Sequence, residues 1–507
     1  MQITESNAVR NVKEWVLGLH PRFYGLIVGL LIGVIGGSIG LLLVTTGPTI
    51  TIGVLGGVLA GLFILMDVRL ALYGLIAVVL MLPFGTFPIE IGITPTLIDL
   101  ALVAFVGVYI LQWATGKRHN LQFAPVHIGV LLYTMWLIFG FFMGMRYGSP
   151  QPNIIRQFAE TLLSISLAFI LVDLLRDPQT LRRLVLVVML FVGLQAALAI
   201  FLYALPDGLA ERLLVRLSRI GYPNGGVIRY IESNPALGER AIGTWVDPNT
   251  LGGMLSIAAA MIAPQVFAQK PVLKYRWVAF IVLCVVGFAL LLSSSRGSFL
   301  ALASGLAVIA FIRYRRFIPI LGVAGVLMLF LPQTQQYLYR IVQAFRGEDL
   351  ATQMRIGEWT DALSLIQQYP IFGIGFTGTP TNDVYTDVAN MYLMMANQIG
   401  ITGVLIFLLA MGGIFAYGYR AWRYARYDEE LDSIHLGYHV ALMVALVNAI
   451  TDLYYFRLDF QASITWFWLI VALAIASSRL VLERAAQEES TLDETSEIVY
   501  YQRSASA

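Results

Sequence analysis

The chain has 507 residues, 58% of them hydrophobic and only 13% charged, with a mean hydropathy of +0.75. That composition excludes an ordinary soluble domain, and the single cysteine, Cys284, excludes both an internal disulfide and a cysteine-based metal site. The net charge of +2 says little; the placement of the charges says more.

Residues 1–22 are polar, with Val9, Val12, Val16 and Leu19 at helical spacing, which predicts a short interfacial helix. No signal-cleavage pattern follows, so the first apolar run reads as a retained span. Apolar runs near 24–44, 48–66, 69–84, 95–114, 125–144, 157–175, 184–205, 249–267, 277–293, 298–313, 317–331, 401–419, 436–453 and 461–477 then predict an all-α polytopic bundle. The total is about 14 transmembrane helices, with a partly helical extracytoplasmic cap. The membrane domain is expected over 23–478 and a disordered cytoplasmic tail over 479–507, where AAQEESTLDETSE is rich in polar residues. With the N-terminus inside, the even-numbered turns carry Arg69, Lys117–Arg118, Arg176 with Arg182–Arg183, Lys270/Lys274/Arg276, Arg313/Arg315/Arg316 and Arg420/Arg423/Arg426. Every such turn is basic, as the positive-inside rule requires. Both termini are then cytoplasmic, and the long loops 206–248 and 332–400 face outward.

All four lysines (Lys13, Lys117, Lys270 and Lys274) fall on the cytoplasmic side, whereas the outward cations are arginines. Arginine's planar fork grips phosphate oxygens in pairs, so this set points to an anionic, phosphorylated ligand. A genome that prefers arginine codons everywhere would produce the same bias. Arg212, Arg216 and Arg219 form a basic stripe at i, i+4 and i+7, opposite Leu213, Leu214, Leu217 and Ile220. Such a helix faces lipid headgroups or a lipid-linked phosphate, or is an ordinary interfacial anchor. Next, Arg240 precedes AIGTWVDPNTLGG, in which Asn249 or Thr250 is the expected helix cap and Asp247 a turn residue. The run Ser293–Ser298 (SSSRGS) joins two spans almost without a loop. Arg296 therefore sits at the membrane surface, where Ser295 can help bind an anion. The structural alternatives are snorkelling or a pair with Asp452. The main other charges at membrane depth are Asp99 and the i, i+4 pair Arg156/Glu160, and the pair reads as structural. In the second loop, Met354, Trp359, Ala362–Leu363 and Ile366 predict an amphipathic helix ended by Tyr369-Pro370. A glycine turn, FGIGF, and an acidic segment with Asp383 and Asp387 come after it. None of the five histidines reaches the outer face on this topology. Acid–base work there falls to carboxylates: Glu239, Asp247, Glu358, Asp361, Asp383 or Asp387.

Four blocks, RAIGTWVDPNTLGG (240–253), SSSRGS (293–298), RIGEW…YPIFGIGF (355–376) and ANMYLMMANQIGITG (389–403), resemble the O-antigen ligase/polymerase superfamily of GT-C-type membrane glycosyltransferases. They occur in the family's order and cover only residues 240–420. The resemblance implies an enzyme of the bacterial cytoplasmic membrane working at its outer face. It would move a glycan from undecaprenyl diphosphate to the hydroxyl of a lipid or glycan acceptor, with neither metal nor cofactor and with no nucleic acid partner. It also implies diphosphate binding by Arg296, with Arg240 and Arg355 assisting; Arg219, Ser295, Asn249 and Asn390 complete the expected set. The family's histidine before the tyrosine–leucine helix is Ala389 here, so Asp387, Asp383 and Glu358 are the expected catalytic substitutes. A polysaccharide polymerase and a solute transporter of the same superfamily are the alternative functions.

Overall fold

The computed structural model describes residues 67–87, 94–319, 322–323, 350–378 and 387–505. The interfacial segment 1–22, the runs 24–44 and 48–66, and most of 317–331 lie outside them. Almost all described residues belong to one compact unit, Ala71–Ala507. Its helices are α1 (Val68–Met81), α2 (Leu97–Ala114), α3 (His127–Gly144), α4 (Pro152–Leu174), α5 (Pro178–Ala204), α6 (Asp207–Val215), α7 (Pro248–Ile262), α8 (Arg276–Ser293), α9 (Arg296–Ile312), α10 (Leu350–Gln368), α11 (Met391–Ala425), α12 (Asp432–Asn448) and α13 (Gln461–Ala505). Seven of these described helices (α2, α3, α4, α5, α8, α11 and α13) are long and apolar enough to cross a membrane, and α1 and α9 are shorter apolar helices. The chain is a helical membrane protein by this measure.

Two helices form the centre. The apolar window of α13 is buried throughout, and α7 has only Asn249 outside its buried set. A helix apolar on every side must be wrapped by others: α13 packs on α4, α11 and α12, and α7 on α12, α8 and α9. Lipid tails are as apolar as leucine, so small residues and close backbone approach hold such a bundle together. The α7 sequence, PNTLGGMLSIAAAMI, supplies them. A Cβ on Gly252 would lie 2.6 Å from Ser295 Cβ, and one on Gly253 would lie 2.8 Å from the Tyr455 hydroxyl.

One end of the bundle is closed by charge. Arg313 pairs with Asp432, Lys270 with Glu429, and Arg484 with Asp428 and Glu430, while Arg182 donates to the carbonyls of Lys270 and Pro271. At the other end, Arg156 bridges Asp99 (2.5 Å) and Glu160 (3.1 Å). Asp99 and the Arg156/Glu160 pair, expected separately, thus form a single triad. The tail expected to be disordered is helical to Ala505. Its Ala, Gln, Glu and Leu residues propagate a helix well, and α13 has already met the nucleation cost.

The segment between α5 and α7 folds back onto this second end. After α6 comes a 3-10 turn, Arg216–Ile220, then a two-stranded antiparallel ribbon of β1 (Arg229–Tyr230) and β2 (Glu239–Arg240), with Arg229 opposite Arg240 and Tyr230 opposite Glu239. The next residues plunge into the bundle. Trp245 is fully buried and donates to Leu80 O, and Thr244 donates to the buried Gln195 of α5. That plug fixes Arg240 against the helices.

The span expected at 401–419 begins earlier, because α11 runs from Met391 and is broken at Gly400 (φ 74°, ψ 170°). A break orphans carbonyls, and the glycine turn between α10 and α11 satisfies them. Ile374 N donates to Asn397 O and Gly375 N to Gln398 O, both at 2.8 Å, while Ile401 N reaches Pro370 O. A side chain on Gly400 would collide with Ile371 O. Helix α10 ends as expected, but its packed face is Ala362 and Leu365, leaving Trp359 and Leu363 exposed at 40% and 51%. Ala362 is buried as expected, and the tight approach to α11 turns the face toward Leu365 and away from the bulkier Trp359 and Leu363.

Candidate active site

Two residues in left-handed backbone, Val246 (φ 61°) and Ser294 (φ 54°), flank the site. For a β-branched residue this conformation costs about 1–3 kcal/mol and persists only when its surroundings over-determine it. At Val246 the constraint is a three-residue turn, Asp247 N to Trp245 O at 2.5 Å. At Ser294 it is the left-handed end of α8. Arg240 bridges the two: Nε donates to Ser293 O (2.9 Å) and Nη2 to Asn249 Oδ1 (2.7 Å). The adjoining Ala241 N bonds Leu292 O.

The cap of α7 is Asp247, whose carboxylate accepts from Asn249 N and Thr250 N. This corrects the expected cap at Asn249 or Thr250. Proline favours the first helical position, so Pro248 moves the cap back to Asp247 and frees the Asn249 side chain to hold Arg240. Across the turn, α9 starts at Arg296 without a side-chain cap, because Ser295 Oγ bonds Ser298 Oγ instead (2.9 Å). Arg296 is half-buried and makes no hydrogen bond or ion pair among the described residues. A helix start with uncapped N–H groups and a guanidinium without a counter-charge together suit an anion.

A buried polar hub, which sequence reasoning missed, supports this turn. The hydroxyls of Tyr454 and Tyr455 lie 3.1 and 2.9 Å from Asn448 Oδ1, and Tyr454 also reaches Asn249 O at 2.9 Å. Asn448 Nδ2 donates to Ser298 Oγ and to Asp452 Oδ2. Asp452, considered above only as a counter-charge for Arg296, joins this hub and does not pair with that arginine. The available signal was the polar run NAITDLYYF closing an apolar span.

The carboxylate candidates separate. Glu358 lies on the packed face of α10, in step with Ala362 and Leu365, and its Oε2 accepts from Ala389 N at 3.0 Å. It therefore lies against the backbone of Ala389. Asp387 is instead bound to Arg457 (3.0 Å), which also holds Asp459. Asp383 lies outside the described residues, and of Arg355 only the backbone, within α10, is described. Asn390 caps α11, its Oδ1 accepting from Tyr392 N and Leu393 N, and Met391 N bonds Asp452 O. The hub and the start of α11 are thus joined. Glu239 faces away from Arg240's contacts, toward Asp207 and Tyr230, and burial, then the Asp207 charge, pushes its carboxyl up to about 7. Arg219 lies on the exposed side of the 3-10 turn and makes no contact with this site.

No curated protein matches the chain. Residues 280–408, which contain Arg296, Glu358, Ala389 and Asn390, match the family model described as O-antigen ligase, and this match supports placing the chain in the O-antigen ligase-like superfamily.

Proposed function

We propose that the protein is a membrane glycosyltransferase that moves a glycan from undecaprenyl diphosphate to an acceptor hydroxyl at the outer face of the bacterial cytoplasmic membrane. The observation that carries this reading is the pair of arginines on the Ser293–Ser295 turn, with Arg240 tied to its first carbonyl and Arg296, at its end, unpaired among the described residues. The acceptor oxygen attacks the anomeric carbon, and the bond from that carbon to the diphosphate oxygen breaks. The acceptor proton passes to a carboxylate, for which Glu358 is the best-placed candidate. The departing diphosphate keeps the bonding electrons, and Arg240 and Arg296 neutralise its charge. Fixed cations aimed at developing charge do most in a site that excludes water. The basic turns favour the opposite end of the bundle as the cytoplasmic one, with both termini there. The reaction needs no metal on this reading.

Transfer by the purified protein in nanodiscs tests the proposal. With a lipid-diphosphate oligosaccharide donor, wild type should release undecaprenyl diphosphate and Arg296→Ala should not. A product on a lipid acceptor identifies a ligase, and lengthened glycan a polymerase. Failure of wild type to turn over any such donor would refute the transferase reading and favour a transporter.

A further inference from the structure

The outward arginines divide into two groups, and the second has no part in the site above. Helix α6 begins at Asp207, three residues after α5 ends at Ala204. At about 1.5 Å per residue the 27 residues of α5 span about 40 Å, longer than a hydrocarbon core of about 30 Å. Helix α6 therefore starts at headgroup level. Its inner side packs Ala210 and Leu214 into the bundle, with Leu214 touching the cluster of Leu202, Val227 and Ile242. The outer side of α6 and the 3-10 turn after it carries Arg212, Arg216 and Arg219, all exposed and none making a hydrogen bond or ion pair among the described residues.

The backbone aligns them. The chain tightens into a 3-10 turn at Arg216–Ile220, and with 3.0 residues per turn Arg219 falls directly over Arg216. Between the packed face and the arginines run Leu209 and Leu213, exposed at 48% and 38%. Leucines beside unpaired arginines on one edge of a helix at headgroup depth form an interfacial wedge: the leucines enter the acyl layer and the guanidiniums take phosphodiester oxygens.

We infer that the wedge of α6 and its 3-10 turn docks on anionic phospholipid headgroups, such as those of phosphatidylglycerol, rather than on the sugar donor. This reassigns Arg219 from the diphosphate site. The inference rests on continuity with a membrane span and on charge, and it stands whether or not the transferase reading does. At about fivefold per arginine near an anionic surface, three arginines shift the docked-to-detached ratio by roughly a hundredfold.

The test places a spin label at Leu213→Cys in a Cys284→Ser background and reads its accessibility to oxygen against a water-soluble nickel chelate. In nanodiscs containing phosphatidylglycerol, the label should be more accessible to oxygen than in pure phosphatidylcholine discs. The joint Arg212→Gln, Arg216→Gln and Arg219→Gln variant should lose that difference, and the corresponding lysine variant should keep it. These side chains have no partners among the described residues, so the variants should fold, and their circular dichroism should match wild type. A label indifferent to phosphatidylglycerol would overturn the inference. So would a shift produced by undecaprenyl diphosphate in phosphatidylcholine discs but not by phosphatidylglycerol, because the stripe would then belong to the donor.

Discussion

Adding one methyl group at Gly252 should separate the site's geometry from the protein's stability. A Cβ there would lie 2.6 Å from Ser295 Cβ, 3.0 Å from Ser298 Oγ and 3.1 Å from Ser293 Oγ. Carbon atoms come to rest about 3.5 Å apart or more, so the serine turn must retreat from α7 by about 0.9 Å. Overpacking of this kind costs about 1–3 kcal/mol, offset by about 1 kcal/mol from replacing a helical glycine with alanine. Gly252→Ala should therefore lose only about 0–2 kcal/mol and stay folded. The turn that moves carries Arg296 and the carbonyl that orients Arg240, and a displacement of about 1 Å near reacting groups costs about a hundredfold in rate. Gly287→Ala is the matched control, since a Cβ at Gly287 meets nothing within 4 Å. Donor turnover in nanodiscs, read beside thermal unfolding, should show a large loss of rate in Gly252→Ala and none in Gly287→Ala. Full activity in a folded Gly252→Ala protein would refute the reasoning, because the turn would then not position the chemistry.

Three further outcomes are expected. Glu358→Gln should lower the rate of transfer about a hundredfold or more with little change in donor affinity, as loss of a proton acceptor does; Asp387→Asn should instead lower stability through the broken pair with Arg457, and single-turnover kinetics beside thermal melts would distinguish them. Burial raises the Glu239 carboxyl to about 7, so the folded protein holds a proton that the unfolded chain releases near the ordinary value of about 4.5. Stability of the ribbon should therefore fall as pH rises from about 4.5 to 7, and Glu239→Gln should flatten that slope in hydrogen exchange; a slope unchanged in the variant would contradict the assignment. Val246→Gly should relieve about 1–3 kcal/mol of backbone strain, partly offset by the entropy glycine gains in the unfolded chain, while slowing transfer as Asp247 and Asn249 lose their fixed positions. A Val246→Gly protein that is less stable and equally active would show that the turn stores no strain.

Much of the site was legible because its parts are local. Asp247-Pro248-Asn249 is a helix start by its residue types, and Arg296 between serines at a span boundary is anomalous on any hydropathy reading. Arginine's own chemistry marks Arg240 and Arg296 without reference to their neighbours. What sequence could not show depends on pairings between distant residues. Glu358 meets Ala389 across 31 positions and Asp387 meets Arg457 across a longer gap, so nearness in sequence made Asp387 the natural base when the fold had spent it on an ion pair. The same limit hid the helical turns Met391–Ile399: the expected span starts at 401, the first residue after the break at Gly400, and only insertion of the FGIGF turn explains why the backbone can open there inside a membrane protein. Side-chain periodicity placed Ala362 on the packed face of α10 correctly but put Trp359 and Leu363 beside it in place of Leu365, a choice that α11 makes.

The central claim is that Arg240 and Arg296 hold the donor's diphosphate, and the most direct measurement is the affinity of the purified protein for undecaprenyl diphosphate itself. Because the product carries no sugar, binding isolates the diphosphate grip from the chemistry. Truncating one partner of a charge-assisted hydrogen bond costs about 1.5–3 kcal/mol, so Arg296→Ala and Arg240→Ala should each weaken binding by about tenfold or more, and Glu358→Gln should leave it unchanged. Equal affinity in wild type and both arginine variants would contradict the account.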